Sequence, residues 1–281
     1  MKKIGFIDYY LNEWHADNYP AMIEQATNGE YKVCYAYGHI DPPAGGWQKS
    51  NAQWAKDLGI ELLDSIEEVI EKSDCLVVLS PDNPEMHELL CDLPLKSGKL
   101  TYVDKTFAPD KESAIRIFAN AEAHNTPCFS SSALRFASEF DEIDTDNIYK
   151  IYSEGPNDME IYLIHQIEPI IRLMNSRAKR IMFLGDELHP SMIIEFVDGR
   201  YAQLYHRKDS TGSFRITTVD QDNNAKYYDI QSDYFGNFIK AMIRFFETGE
   251  APVSHEQTID VMAVRSAAIK AADTPFEWIE L

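Results

Sequence analysis

The first 130 residues alternate between strand-like and helix-like segments, and no other feature of the sequence constrains the fold as strongly. Runs such as 31–37 and the Cys-Leu-Val-Val-Leu run within 74–80 have the composition of buried strands. Segments with helical spacing of apolar residues, such as 17–27, separate them. This alternation indicates βαβ units, so we expect an α/β fold with a Rossmann-type, doubly wound parallel sheet.

The pattern changes after about Ser132. One strand-like run and one long helix are followed by four or five strand-like runs without helices between them, and two helices close the chain. This order predicts an α+β domain with a mostly antiparallel open sheet. We therefore predict a Rossmann-like dinucleotide-binding domain at 1–130 and a substrate and oligomerisation domain at 131–281, and we expect the closing helices to be able to pack back on the first domain.

Composition argues against several classes of function. The chain has 46 Asp and Glu against 26 Lys and Arg, and the resulting net charge of −20 repels nucleic acid and anionic membrane. No run of about 18 apolar residues could span a membrane, and the N-terminus meets Asp8 too soon for a signal peptide. The four cysteines have no metal-ligand spacing, so we expect free thiols in a cytoplasmic protein.

One strand-like run ends in Asp104-Lys105 and brings an ammonium group to the carboxyl edge of the predicted sheet. Ligands bind at this edge in open α/β sheets. A lysine there can exchange a proton with a carbinol or carbonyl oxygen. The alternative interpretation is a solvated lysine at the end of a strand.

Two further places carry polar chemistry. His165 lies in an apolar helical run, so it is either a core histidine with its hydrogen bonds satisfied or a site residue that titrates near neutral pH. The serines at 130–132 and Arg135 follow a strand end, where hydroxyl groups can bind a sugar or a phosphate and a guanidinium can pair with a carboxylate. The alternative for this cluster is a helix N-cap at Ser132 beside a surface arginine.

The loop after the first strand departs from the dinucleotide-binding pattern. A Rossmann site uses G-x-G-x-x-G so that backbone N–H groups can approach the pyrophosphate. Here Gly5 lies inside the strand, and the loop has acidic and bulky residues instead of glycines: Asp8, Tyr9, Tyr10, Glu13 and Trp14. We therefore expect binding of NAD or NADP to be weakened, reshaped or lost.

A metal centre is not expected. Three histidines, His15, His87 and His165, could meet near a sheet edge. Their spacing matches no local zinc motif. We therefore predict no metal site.

The whole chain resembles the glucose–fructose oxidoreductase and inositol dehydrogenase (Gfo/Idh/MocA) family, as a divergent member. Several stretches carry the resemblance: Leu76–Pro81 with His87 six residues later, Val103–Thr106 at the family's Glu-Lys-Pro position, Tyr162–Glu168 on the helix of the family's active-site histidine, and the closing segments 233–253 and 258–272.

The resemblance implies an NAD(P)-dependent oxidoreductase that exchanges hydride with a sugar, cyclitol or similar polyol. It implies that Lys105 is the general acid/base and that His165, next to it, binds substrate or relays a proton. Cofactor contacts are implied for Asp8, Tyr9, His15, Ser80, Pro81, His87 and Asp104, and substrate contacts for Ser131, Arg135 and Tyr162. It also implies a homo-oligomer formed through the C-terminal sheet.

This sequence departs from the family pattern at three positions besides the first loop. Thr106 replaces the usual proline, Asp104 replaces glutamate, and Ile161 stands where an acid usually precedes the histidine by four residues. These departures support an alternative function: a catalytically silent homologue that binds a metabolite or a protein partner without hydride transfer. A third hypothesis is a non-redox lyase or isomerase that keeps Lys105 and His165 as an acid/base pair.

Overall fold

The computed structural model describes residues 1–43, 45–186, 188–207 and 212–281. The chain divides into two compact units. The first unit comprises Met1–Ser131 and Ile239–His255, and the second comprises Ser132–Phe238 and Glu256–Leu281.

The first unit is built on six parallel strands. These are β1 (Lys2–Asp8), β2 (Tyr31–Gly38), β3 (Glu61–Leu62), β4 (Cys75–Val78), β5 (Thr101–Val103) and β6 (Cys128–Phe129), connected by α1 (Trp14–Ala26), α2 (Asn51–Leu58), α3 (Ile66–Lys72), α4 (His87–Lys96) and α5 (Lys111–Ala123). The sheet order is β3-β2-β1-β4-β5-β6. The order reverses between β1 and β4, which is where ligands bind in a doubly wound sheet.

Local sequence explains how closely α3 packs on this sheet. A Cβ on Gly5 of β1 would lie 2.4 Å from both Val69 Cγ1 and Ser73 Oγ, so only glycine permits this approach. Helix α3 begins after Ser65, whose side chain accepts the backbone N–H of Glu68. That contact is the N-cap half of the capping-box arrangement.

The second unit is built on a seven-stranded sheet. Its elements are β7 (Ile148–Pro156), α6 (Met159–Met174), β8 (Ala178–Gly185), β9 (Pro190–Phe196), β10 (Tyr201–Arg207), β11 (Arg215–Asp220), β12 (Ala225–Asp229) and β13 (Trp278–Glu280). Between β12 and β13 in the chain come α7 (Tyr234–Thr248), most of which belongs to the first unit, and α8 (His255–Ala271), almost all of which belongs to the second. The order is β12-β11-β7-β10-β9-β8-β13, in which β7 and β10 are parallel and the other neighbours antiparallel.

One face of this second sheet is buried and the other is exposed. Along β10, Ala202 and Leu204 are buried, whereas Tyr201 and Tyr205 are 37% and 41% exposed. Helix α6 lies against the buried face, where Gln166 bonds to the Ser153 hydroxyl at 3.0 Å. The alternation is that of an antiparallel sheet with a single covered face.

The predicted fold class is confirmed: a doubly wound parallel sheet is followed by a mostly antiparallel open sheet. Two elements, α2 and β13, were not among the predicted ones. Within the described ranges, no helix combines the length and the apolar character needed to cross a membrane.

Candidate functional site

The carboxyl ends of β1, β4 and β5 carry most of the predicted residues of the first unit. Asp8 ends β1, Ser80 and Pro81 follow β4, and Asp104 and Lys105 follow β5 directly. All five are buried, and four of them have polar side chains: Asp8, Ser80, Asp104 and Lys105. Polar groups this deeply buried require partners within the chain or from a ligand.

Lys105 is a buried lysine whose ammonium is held loosely. The residue is 8% exposed, and Nζ lies 4.0 Å from Asp82 Oδ1, at the outer limit of an ion pair. The peptide bond between Lys105 and Thr106 is cis. Because Asp82 is the nearest countercharge among the described residues, the ammonium can turn to a ligand oxygen without breaking a close ion pair.

Asp104 is fully buried and anchors His15. His15 Nδ1 hydrogen-bonds to Asp104 Oδ2, and the Tyr102 hydroxyl donates to Asp104 Oδ1 at 2.8 Å. Burial opposes ionisation of Asp104, but the interactions with His15, with Lys105 and with Tyr102 together lower its pKa. The His15 ring stacks on Tyr19 at 4.8 Å. Two predicted cofactor contacts thus bind each other.

The N-terminus of α1 is capped by the carboxylate of Glu13. This carboxylate accepts the backbone N–H of His15 at 2.7 Å and also that of Ala16. Burial raises the pKa of Glu13 to about 7, with His15 opposing the rise and Asp104 adding to it. A Rossmann pyrophosphate binds N–H groups at this helix end. Glu13 therefore occupies donors that a pyrophosphate would use.

Asp8 adds a third carboxyl group at the same edge. Its Oδ1 accepts the Tyr9 N–H at 2.6 Å, and its buried Oδ2 has no partner among the described residues. Burial, reinforced by Glu13, raises the pKa of Asp8 well above its usual value. The surroundings thus push the pKa values of Asp8 and Glu13 up and that of Asp104 down, a separation typical of sites that move protons.

The loop after β1 is fastened to the segment after β2. The backbone N–H groups of His39 and Ile40 donate to the carbonyls of Asp8 and Tyr9, at 2.9 Å each. The His39 ring stacks on the Tyr9 ring at 6.1 Å. In a Rossmann site the acid that binds ribose stands near the end of β2; here those positions extend the pairing of β1 with β2.

The turn after β4 is tied to the turn that carries Lys105. His87 is completely buried, and its ring nitrogens lie 2.5 Å from the Leu79 carbonyl and 2.9 and 3.1 Å from the carbonyls of Thr106 and Phe107. Burial lowers the pKa of His87, although these carbonyls oppose the shift. The ring joins the ends of β4 and β5 and so positions the backbone next to Lys105.

In the second unit, His165 is paired with a serine. His165 Nδ1 lies 2.6 Å from Ser132 Oγ, and the His165 ring makes edge contacts with the rings of Tyr162 at 5.4 Å and Phe214 at 5.7 Å. The imidazole is partly buried on α6. Its surroundings are aromatic on two sides, as in many sites that bind sugar rings.

Arg135 is engaged in a buried ion pair. Its Nη1 lies 3.0 Å from Glu168 Oε2, its Nη2 contacts Gln257, and Arg135 and Glu168 are 5% and 2% exposed. Burial lowers the pKa of Arg135, and Glu168 opposes the shift. Ser131, in the first unit, is also buried, with its carbonyl 3.1 Å from the Tyr102 hydroxyl. The structure thus gives Arg135 and Ser131 partners within the chain.

Sequence reasoning missed two contacts of the candidate site. It placed the start of α1 at residue 17 and so missed the Glu13 cap, because capping residues are usually Ser, Thr, Asp or Asn. It also missed the bond between Ser132 and His165, which are 33 positions apart. Across the described ranges, no group of three or more His, Cys, Asp or Glu could hold a metal ion.

No protein-family model and no curated protein matches the chain. Solved structures do match it. A putative myo-inositol dehydrogenase from Sinorhizobium meliloti 1021 is 13% identical with a TM-score of 0.78, covering 100% of this chain and 99% of that one. A probable dehydrogenase from Thermotoga maritima is 13% identical with a TM-score of 0.79, covering 99% and 98%.

A third match is GenD2 from gentamicin A biosynthesis in complex with NAD, at 11% identity and a TM-score of 0.78, covering 100% of this chain and 96% of that one. At such identities the likeness establishes the fold alone. The chain therefore shares the fold of these structures.

Proposed function

We propose that this chain is an oxidoreductase that acts on a sugar, a cyclitol or a similar polyol, with Lys105 as its general acid/base. The observation that carries the proposal is the buried, loosely held Lys105 ammonium at the carboxyl edge of a doubly wound sheet. When a hydroxyl group becomes a carbonyl, its oxygen must lose a proton. The neutral amine of Lys105 can take that proton, and the ammonium formed in this way can return it in the reverse reaction.

The substrate class is supported by fold likeness and by the chemistry of the second unit. Several structures of similar fold are named as inositol or sugar dehydrogenases. His165 can hydrogen-bond a hydroxyl group, and Tyr162 beside it offers a ring and a hydroxyl. We propose that His165 binds substrate or relays a proton.

NAD or NADP is the hydride acceptor that this reaction requires. With Glu13 in place, the N-terminus of α1 does not fit a dinucleotide pyrophosphate, because the N–H groups of His15 and Ala16 already bind a carboxylate. A dinucleotide has to displace Glu13 or bind by other contacts. The proton transfer proposed for Lys105 is independent of which of these occurs.

The Glu13 cap favours a second candidate function. The N–H groups at the start of α1 are bound by Glu13, and two more carboxyl groups, Asp8 and Asp104, lie at the same sheet edge. Such a site can bind a metabolite or a protein partner without hydride transfer. In that case the Lys105 ammonium would bind an oxygen of the ligand and move no proton. Nucleotide binding and turnover separate the two candidates.

Two further properties belong to the proposal. The exposed tyrosines of the second sheet, including Tyr201 and Tyr205, support a homo-oligomer formed through this sheet. The described cysteines are all free thiols, which supports a cytoplasmic location.

The test has two stages. The purified chain and its Lys105→Ala variant are titrated with NADH and NADPH by fluorescence and thermal shift, and then assayed for reduction of NAD or NADP with a panel of sugars and cyclitols. We expect Lys105→Ala to keep its nucleotide affinity and to lose about 10²- to 10⁴-fold in kcat. Lys96→Ala, at an exposed lysine paired with Asp92, is the control and should match the wild type.

Two results would contradict the proposal. If Lys105→Ala turns over substrate as fast as the wild type, Lys105 is not the general acid/base. No nucleotide binding up to millimolar concentration, together with no polyol oxidation, would reject the oxidoreductase and leave the second candidate.

A further inference from the structure

We infer that Ser132 is a positioning residue for His165: its hydroxyl group donates to Nδ1, so that the neutral imidazole carries its hydrogen on Nε2. The inference rests on the proposed function only in giving His165 a role toward substrate. The hydrogen bond and the tautomer can be measured whether or not the chain oxidises a polyol.

The contacts of the Ser132 hydroxyl favour one direction for its hydrogen bond with His165. Ser132 is completely buried, and its Oγ lies 2.6 Å from His165 Nδ1. The same oxygen accepts the backbone N–H of Leu134 at 3.3 Å, so a lone pair is used there. A hydroxyl has one hydrogen, and we assign it to the contact with Nδ1, because of these two partners only Nδ1 can accept a hydrogen. Nδ1 is then an acceptor, and the neutral ring must carry its hydrogen on Nε2.

A buried network holds Ser132 in place. Its backbone N–H donates to Glu168 Oε1 at 3.2 Å, while Glu168 Oε2 binds Arg135. Glu168 follows His165 by three positions on α6, so the carboxylate and the imidazole lie on neighbouring positions of one helix face. Arg135 is in turn bound by Gln257. This network fixes the distance between the Ser132 hydroxyl and the His165 ring.

Helix α6 does not itself supply a polar partner one turn before the histidine. The residue four positions earlier is Ile161, which is 46% exposed and has no side-chain donor or acceptor. Ser132 comes from a different segment, the residue before a short 3₁₀ turn at Ala133–Phe136. The orienting contact that Ile161 cannot make is thus made by a residue outside the helix.

The consequence is a defined donor toward substrate. An imidazole held as the Nε2–H tautomer offers a hydrogen to a hydroxyl or carbonyl oxygen, whereas the other tautomer offers a lone pair. Ser132 is buried and acts through the ring, so its removal should change which nitrogen carries the hydrogen.

The test is a long-range ¹⁵N–¹H NMR spectrum of the histidine rings in the whole chain, with the His165 signals assigned from a His165→Gln variant. We expect protonated Nε2 and unprotonated Nδ1 in the wild type and in Ser132→Thr, which keeps a hydroxyl. Ser132→Ala should show mixed tautomers at His165. Ser266→Ala, which removes a hydroxyl bonded to the Ala263 carbonyl in the same unit, should leave the His165 signals unchanged.

Kinetics give a second readout once a polyol substrate is in hand. Ser132→Ala should lower kcat by about 10-fold, as loss of a group that orients a functional imidazole does, and Ser132→Thr should restore most of it. A wild-type His165 that carries its hydrogen on Nδ1, or a Ser132→Ala spectrum identical to the wild type, would overturn the inference. If Ser132→Ala does not fold, the wild-type and Ser132→Thr spectra still show which nitrogen of His165 carries the hydrogen. If the oxidoreductase proposal fails but the inference holds, the chain shows no turnover while His165 still has the expected tautomer.

Discussion

At the scale of single residues, Glu13 caps the helix that follows the first loop of the parallel sheet. Its carboxylate takes two N–H groups of α1 that a phosphate would use. Ser in its place can still cap the helix but carries no charge to repel a phosphate. We therefore expect Glu13→Ser to bind NADH at least about 10-fold more tightly than the wild type, a change of about 1.4 kcal/mol.

The measurement is a fluorescence titration of both proteins at one pH and salt concentration. Glu13→Asp is the matched control, since it keeps the charge and should keep the weak affinity. Equal affinities of the wild type and Glu13→Ser would mean that the cap does not limit nucleotide binding.

The pKa of Glu13 gives stability a defined dependence on pH. Because this pKa is raised to about 7 in the folded chain, the folded state holds more protons than the unfolded state above the usual value of 4.5. The free energy of unfolding therefore falls as pH rises from about 4.5 to about 7. Asp8 acts in the same direction, since its pKa is also raised.

Urea unfolding at pH 5 and pH 8 tests this dependence. Glu13→Gln cannot titrate, so the loss of stability between the two pH values should be smaller than in the wild type by on the order of 2 kcal/mol. Asp104 does not interfere, because its pKa is lowered and its contribution changes only under more acidic conditions. An equal loss in both proteins would show that Glu13 titrates normally.

At the scale of elements, the buried pair of Arg135 and Glu168 joins the 3₁₀ turn at Ala133–Phe136 to α6. Glu168→Gln leaves the guanidinium buried without a countercharge. We expect it to lower the free energy of unfolding by about 3–5 kcal/mol. The exposed pair of Arg116 and Glu88 is the comparison, and Arg116→Ala should cost under about 1 kcal/mol. If urea unfolding shows similar losses of unfolding free energy for Glu168→Gln and Arg116→Ala, the expected difference is wrong.

Most elements could be predicted because their pattern is local. Strand β4 is a continuous apolar run, and Ser65 with Glu68 signals the start of α3. Helix α2 was missed because its eight residues are too few to show a clear helical period, although Trp54 is buried and Ser50 caps it. Strand β13 has three residues, which is too short for a period to show, and only its pairing with β8 defines it.

The site was predictable in position but not in its contacts. The sequence places Asp104 and Lys105 at a sheet edge, because a strand-like run ends there. The pairing of Asp104 with His15 spans 89 positions and depends on how β1 and β5 are brought together through β4. No local pattern encodes such a contact. The roles of Lys105 and His165 toward a substrate stay predictions.

At the scale of the whole molecule, the open face of the second sheet is the surface to test for assembly. Tyr152, Tyr201 and Tyr205 are each at least 37% exposed on neighbouring strands β7 and β10. We expect the chain to sediment as a dimer or larger oligomer and the double variant Tyr152→Glu, Tyr205→Glu to shift toward monomer, since like charges would face each other across the interface. The control Trp47→Glu changes an 83% exposed residue of the first unit and should leave the oligomeric state unchanged. A monomeric wild type in analytical ultracentrifugation would reject assembly through this sheet.

The Glu13 cap at the start of α1 makes the order of this loop independent of a bound ligand. A helix end whose N–H groups need a ligand leaves its loop dependent on the supply of that ligand, whereas the N–H groups at this helix end are bound by Glu13 of the same chain. The edge of the first sheet should then keep its order when nucleotide is scarce. The folded fraction of the protein would then not depend on the concentration of any ligand of this loop.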